Sequence, residues 1–281
     1  MTYRSLLVLL DESPLCAART KVALRLSHDL DAHLVGLAPT GLVEVPAAIL
    51  MASGVSELAR NVGRDLRAQA ERTAEWFSQQ CRAAGVKSFE TVIDGVNAAK
   101  SVVQHAPNSD LIVLSQADPG ADNAAQARDL LEQVVLYSAR PALMVPYAGR
   151  WDAVGTRAMV AWDGSSEAAR AVSDAVPLLR LAKHVQVVQW IERDSAGEET
   201  LRARLDALKR WLAHHKVTAE TNLVAKPGIG IADAILSRAA DFGADLIVMG
   251  AYGRGRLSER ILGGATRGLL ASMTAPVLMS H

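Results

Sequence analysis

The sequence predicts an α/β protein of two tandem, doubly wound domains, each built on a five-stranded parallel sheet. Apolar runs of strand length alternate along the chain with longer segments of helical period. That order then returns: Asp245-Leu-Ile-Val-Met matches Asp110-Leu-Ile-Val-Leu and Pro276-Val-Leu-Met matches Pro141-Ala-Leu-Met, both at an offset of 135. Two matches in one register indicate duplication. With 281 residues, 50% of them hydrophobic, the chain has enough length and apolar material for two cores.

The elements follow in order. Ser5 to Leu10 is an apolar run of strand length, and helical spacing holds from about Leu15 to Asp29. A second apolar run covers His33 to Ala38, a long amphipathic segment Glu57 to Ala84, a third strand Ser88 to Ile93, a short helix Ala98 to His105, and a fourth strand Asp110 to Leu114. The polar stretch from Pro146 to Thr156, with Gly149 and Gly155, reads as a linker. It separates a domain at residues 1–148 from one at 155–281, whose cycle opens on Arg157 to Trp162. Asp11 and Asp163 each close an apolar run before a helix, but at an offset of 152, so the first half carries 17 extra residues before its third strand. Gly41 to Ser56 is the natural place for them; packing between the halves or a flap over a cleft accounts for its apolar character.

Lys plus Arg and Asp plus Glu both number 30, so no overall field draws the chain to nucleic acid or an anionic membrane. No stretch approaches the roughly 20 apolar residues that span a bilayer, and a cytoplasmic location is expected. Cys16 and Cys81 are too few for a zinc site or a disulfide framework. Cys81 continues the stripe Val62, Leu66, Ala70, Phe77, which makes it a small core residue.

Parallel sheets of this kind bind ligands beyond the carboxyl ends of their strands. After the strand Asp245 to Met249 the chain reads Gly250-Ala-Tyr-Gly253-Arg254-Gly255, continues through Arg256 and Arg260 to Gly263-Gly264-Ala265-Thr266, and enters a helix from about Arg267 to Met273. Glycines let backbone amides approach an anion, and a helix N-terminus adds its dipole. Arg254, Arg256, Arg260 and Thr266 are further candidate phosphate partners. A turn alone would also explain glycines after a strand.

The spacing Gly250-x2-Gly253-x9-Gly263 behind a strand, with Ala-Pro-Val-Leu-Met near the end, resembles the universal stress protein family, whose strand and helix order both halves share. The resemblance implies Rossmann-like domains of the adenine nucleotide alpha hydrolase-like type. It implies ATP, with magnesium, as ligand: Asp163 at adenine or ribose, the backbone of Trp190 at the base, and Gly250, Gly253, Gly263, Gly264, Ala265 and Thr266 around the phosphates. ATP binders of the family carry Ser or Thr where this chain has Gly264, which removes one hydroxyl contact and lowers the expected affinity. Trp190 is bulky for its place and would close the adenine pocket or stack on the ring. In the first half Ser115 and Asp118 replace Gly250 and Gly253. Asp118 would repel a phosphate, so Asp11 is expected to be structural and the first half to bind no nucleotide.

Lys226-Pro-Gly228-Ile-Gly230 lacks the ending of a Walker motif and reads as a strand-to-helix turn; the resemblance implies that it borders the cleft, where Lys226 or Gly228 would touch the ligand. His214 and His215 are neighbours that point about 100° apart and do not chelate one ion. Ser13, Ser165 and Ser166 fit helix capping. The leading expectation is a stress-response regulator that binds an adenine nucleotide in its second half; the alternative is an interaction scaffold that has lost the nucleotide, with Gly264 and Trp190 as its signs. A weak ATPase trails both, since no metal-binding acid pair is evident. The resemblance further implies pairing through last strands, Ala142 to Val145 against Val277 to Ser280, as an intramolecular pseudo-dimer, with a homodimer also open.

Overall fold

The structure is a computed structural model that describes residues 2–41, 55–192, 197–252 and 264–281, with side chains omitted for 55–59. Most of the Gly41 to Ser56 segment lies outside the described residues, as do Gly253, Arg254 and Gly263. The chain forms two compact units, one of Tyr3–Ser115 and Asp129–Arg140, the other containing Gln116–Arg128 and Pro141–His281.

In the first unit β1 (Ser5–Leu9), α1 (Leu15–Leu30), β2 (His33–Pro39), α2 (Val55–Ala83), β3 (Phe89–Asp94), α3 (Ala98–His105) and β4 (Leu111–Ser115) alternate as the sequence pattern predicts. The strands run parallel in the order β3-β2-β1-β4. Leu6, Val8, Leu34, Leu37 and Leu111 to Leu114 are buried, because helices on both faces demand near-continuous apolar strands. Gly36 is required by packing: a Cβ there would stand 2.7 Å from the Phe77 ring of α2 and 2.9 Å from Leu10. Ala70, Phe77 and Cys81 are buried on α2, whereas Val62 is 45% exposed, so the apolar stripe reaches the core only over the later turns. Burial pushes the Cys81 thiol up to about 11, with Arg82 weakly opposing the shift.

α4 (Ala124–Tyr137) and β5 (Ala142–Val145) follow, then β6 (Arg157–Ala161), α5 (Ser166–Leu179), β7 (His184–Ile191), α6 (Glu198–His214), β8 (Ala219–Ala225), α7 (Ile231–Phe242), β9 (Leu246–Gly250), α8 (Gly264–Ser272) and β10 (Val277–Ser280). Within the second unit the order is β5-β10-β9-β6-β7-β8. All neighbours are parallel except β5 and β10, which pair antiparallel with Leu143 opposite Leu278. The last strand of the first repeat thus belongs to the second unit, and the expected pairing of Ala142–Val145 with Val277–Ser280 forms.

The repeat has a physical reason at each end of its fourth strand. Asp245 accepts the amides of Gly155, Thr156 and Arg157 at 3.1, 3.1 and 2.8 Å, and Asp110 accepts those of Arg4 and Ser5 at 2.7 and 3.1 Å. Each aspartate ties the start of its strand to the start of the strand beside it. At the other end, the Gln116 amide donates to the Val145 carbonyl at 2.7 Å and the Ala251 amide to that of Ser280 at 2.9 Å. Gln116 differs from Ala251 in carrying a carboxamide, buried in the second unit, that donates to the Leu270 and Ala271 carbonyls at the end of α8 and accepts from the Tyr147 amide. α8 is already helical at Gly264, three residues before the helix read from the sequence, so Gly264, Ala265 and Thr266 belong to it.

Candidate nucleotide site

The carboxyl ends of β6, β7, β8 and β9 open into a cleft of about 640 Å³ within the second unit. β6 delivers Trp162 and Asp163 to its wall, and β7 delivers Gln189, Trp190 and, just beyond it, Glu192. Lys226 comes from the end of β8, Gly250 and Tyr252 from the end of β9, and Gly264, Ala265 and Thr266 from α8. Ile231 and Ile235 of α7 and Leu201 of α6 supply apolar wall. An apolar cleft with a few polar groups converging on it is the usual form of a small-molecule site.

Local folding fixes each polar group. The Asp163 carboxylate accepts the Ser165 amide at 2.9 Å and the Ser165 hydroxyl at 2.6 Å, and Ser165 Oγ in turn accepts the Ala168 amide at 3.1 Å as the N-cap of α5. Asp163 itself is exposed at the mouth. The Lys226 ammonium pairs with the Glu192 carboxylate at 2.9 Å, and the Lys226 amide donates to the Ile191 carbonyl at 2.6 Å, joining the ends of β7 and β8.

Gly250 has a packing role. A Cβ at this position would lie 2.4 Å from the Ala168 nitrogen and 2.5 Å from the Glu167 carbonyl carbon, so the first turn of α5 rests directly on it. Tyr252 adopts φ 63°, an uncommon conformation for a residue with a Cβ. Its amide donates to Thr266 Oγ1 at 3.4 Å, which links the end of β9 to α8 across the segment 253–263. Thr266 is buried, while Gly264 is exposed and a Cβ there would meet nothing within 4 Å. Gly264, Ala265 and Thr266 of α8 border the cleft on this side.

The same corner of the first unit is built differently. Asp11 repeats the turn, accepting the Ser13 amide at 2.9 Å and its hydroxyl at 2.5 Å. Arg19 is buried there, its Nη2 2.7 Å from the Asp11 carboxylate, its Nε donating to the Leu9 carbonyl and its Nη1 to Ser115 Oγ at 3.1 Å. In the second repeat Ala171 stands at the position of Arg19 and Gly250 at that of Ser115. A guanidinium and a hydroxyl therefore fill the first corner where the second has an alanine and a glycine.

Residues 156–281 match the model of the universal stress protein family. The second half of this chain is a universal stress protein domain. Over the whole chain the fold is similar to that of a universal stress protein from Archaeoglobus fulgidus DSM 4304, with a TM-score of 0.72 at 16% identity over 98% of this chain and 95% of that one. It is also similar to a protein of unknown function from Pseudomonas aeruginosa PAO1, with a TM-score of 0.63 at 18% identity over 99% of this chain and 92% of that one. A tandem arrangement of universal stress protein folds fits these likenesses. No curated protein sequence matches the chain.

The matched segment of the universal stress protein domain contains every residue of the cleft wall. Asp163, Trp190, Gly250, Gly264, Ala265 and Thr266, named from the sequence, all lie on that wall. Lys226 joins them there. Gln189, Glu192 and Tyr252 escaped sequence reasoning; a glutamine within the apolar strand His184–Ile191 was the available signal for the first. Among the described residues no helix is long and apolar enough to cross a membrane, and no group of His, Cys, Asp and Glu could hold a metal ion.

Proposed function

We propose that the protein is a nucleotide-responsive, cytoplasmic stress-adaptation regulator that binds one adenine nucleotide, ATP with magnesium, in its second repeat (residues 155–281), and none in its first (residues 1–148). The observation that carries the reading is the convergence of Asp163, Trp190, Gly264, Ala265 and Thr266, from three separate parts of the chain, on one cleft of about 640 Å³. In this reading Asp163 and the backbone at Trp190 meet the nucleoside. Gly264, Ala265 and Thr266 of α8 meet the phosphates through their amides, completed by Gly253, Arg254 and Gly263. No catalytic base is needed, because a regulator only has to bind differently in two states.

The exclusion of the first repeat is supported by Arg19. Its guanidinium already pairs with Asp11 and occupies the corner, so a nucleoside entering there would have to displace a buried arginine from its partners.

The test is calorimetric titration of the purified, nucleotide-stripped protein with ATP and magnesium, repeated on Gly253→Asp, which brings in the charge found at Asp118. One site per chain, abolished in the variant, is the expected result. Absence of both heat and a thermal shift on adding ATP overturns the reading and leaves an interaction scaffold in its place.

A further inference from the structure

β7 carries two buried glutamines with different fates. Gln186 is 6% exposed, and its Oε1 accepts a hydrogen bond from Arg238 Nε at 3.0 Å. Gln189 is 7% exposed and lines the cleft, yet its Oε1 is shut off from water and has no hydrogen-bond partner among the described residues. A buried amide oxygen left in this state is costly, and native structures satisfy such groups in the great majority of cases. One that lies in a ligand cleft has an evident use: its donor arrives with the ligand.

The place of Gln189 says which part of a ligand that is. β7 is separated from β9 by β6 alone, and strands about 4.8 Å apart put the end of β7 roughly 10 Å from the end of β9, where Gly250 leads toward α8. If the phosphates lie by α8, β7 meets the opposite end of a nucleotide, the base. A carboxamide offers an acceptor and a donor side by side, the pattern that pairs with the amino group and adjacent ring nitrogen of adenine. The terminal torsion of glutamine is soft, so the group turns toward an arriving base at little cost.

We infer that the Gln189 side chain is the specificity-determining group of the cleft, accepting a hydrogen bond from the exocyclic amine of a 6-aminopurine. The inference rests on the nucleotide reading above and goes further, assigning base selection to a side chain of β7.

The experiment compares ATP with purine riboside triphosphate, which lacks only the 6-amino group, by calorimetry on the wild-type chain and on Gln189→Leu. The wild type is expected to bind ATP about tenfold more tightly, the equivalent of one hydrogen bond, and the variant to bind the two ligands within about twofold of each other. Equal affinities in the wild type overturn the role of Gln189 while leaving the nucleotide site intact, and so does a tenfold gap that survives in the variant. Failure of the wild type to bind either ligand overturns both readings. Should Gln189→Leu not fold by far-UV circular dichroism, Gln189→Met, closer in shape, takes its place.

Discussion

Arg19 and Asp11 form an ion pair at 2.7 Å in which the guanidinium is only 2% exposed while the carboxylate remains 43% exposed. The asymmetry makes the arginine the structural member. Its removal strands the Leu9 carbonyl, leaves the Ser115 hydroxyl with only the Leu15 carbonyl, and opens a void, whereas Asp11 can still reach water. Arg19→Ala is expected to destabilise the first unit by about 2–4 kcal/mol, read as a lower midpoint in urea unfolding. Arg19→Met keeps the stem and should cost less. Neither variant should raise the ATP stoichiometry above one, since Asp118 remains.

Gly250→Ala drives a methyl group into the backbone of Glu167 and Ala168. Backbone gives way less readily than a side-chain end, so a loss of about 1–3 kcal/mol is expected, visible as a thermal midpoint several degrees lower. Weakened ATP binding should accompany it, because α5 carries the turn that orients Asp163.

Asp245 accepts three amides and Asp110 two. Asp245→Ala leaves those donors without their acceptor, and the expected loss is about 1–3 kcal/mol. Asp110→Ala should lose less. Chemical denaturation of both variants gives the comparison, and an unchanged midpoint for Asp245→Ala contradicts the tying role.

The Cys81 thiol titrates at about 11 in the folded chain against a reference of 9.0, because burial disfavours its thiolate. Between those values an unfolded chain has released the proton that the folded chain still holds. The contribution to stability is therefore complete below pH 9 and disappears as pH rises through about 11. Cys81→Ala should flatten that alkaline slope in pH-dependent unfolding. At pH 8 neither cysteine, both being buried, should react with an aromatic disulfide reagent until denaturant is added.

The order of elements was legible because strands covered on both faces must be apolar throughout, and Leu6 to Leu9 or Leu246 to Met249 advertise that directly. The cleft was legible where a motif marks it, at Asp163 and at Gly264 to Thr266. Gln189 was not, since a polar residue within a strand gives no sign of whether a partner answers it; Gln186, three residues earlier on the same strand, has one. Gly264 to Thr266 were not read as helix because Gly264 is a poor helix former. Arg19 was hidden for the opposite reason: an arginine amid Ala17, Ala18 and Thr20 looks like an exposed helix position, and only its three acceptors, none of them on its own helix, explain its burial.

The antiparallel meeting of β5 with β10 joins two last strands that differ in sequence, Ala-Leu-Met-Val against Val-Leu-Met-Ser. At the seam of an assembly of identical subunits, every substitution appears twice and must suit both places at once. Covalent linkage of the copies removes that restriction, since a change at Leu143 is felt once, opposite an unaltered Leu278. The same freedom extends to the rest of each copy. One could trade its glycine for Ser115 and its alanine for Arg19 while the other conserved an open cleft, a division of labour that a symmetric pair encoded by one short gene has no means to evolve.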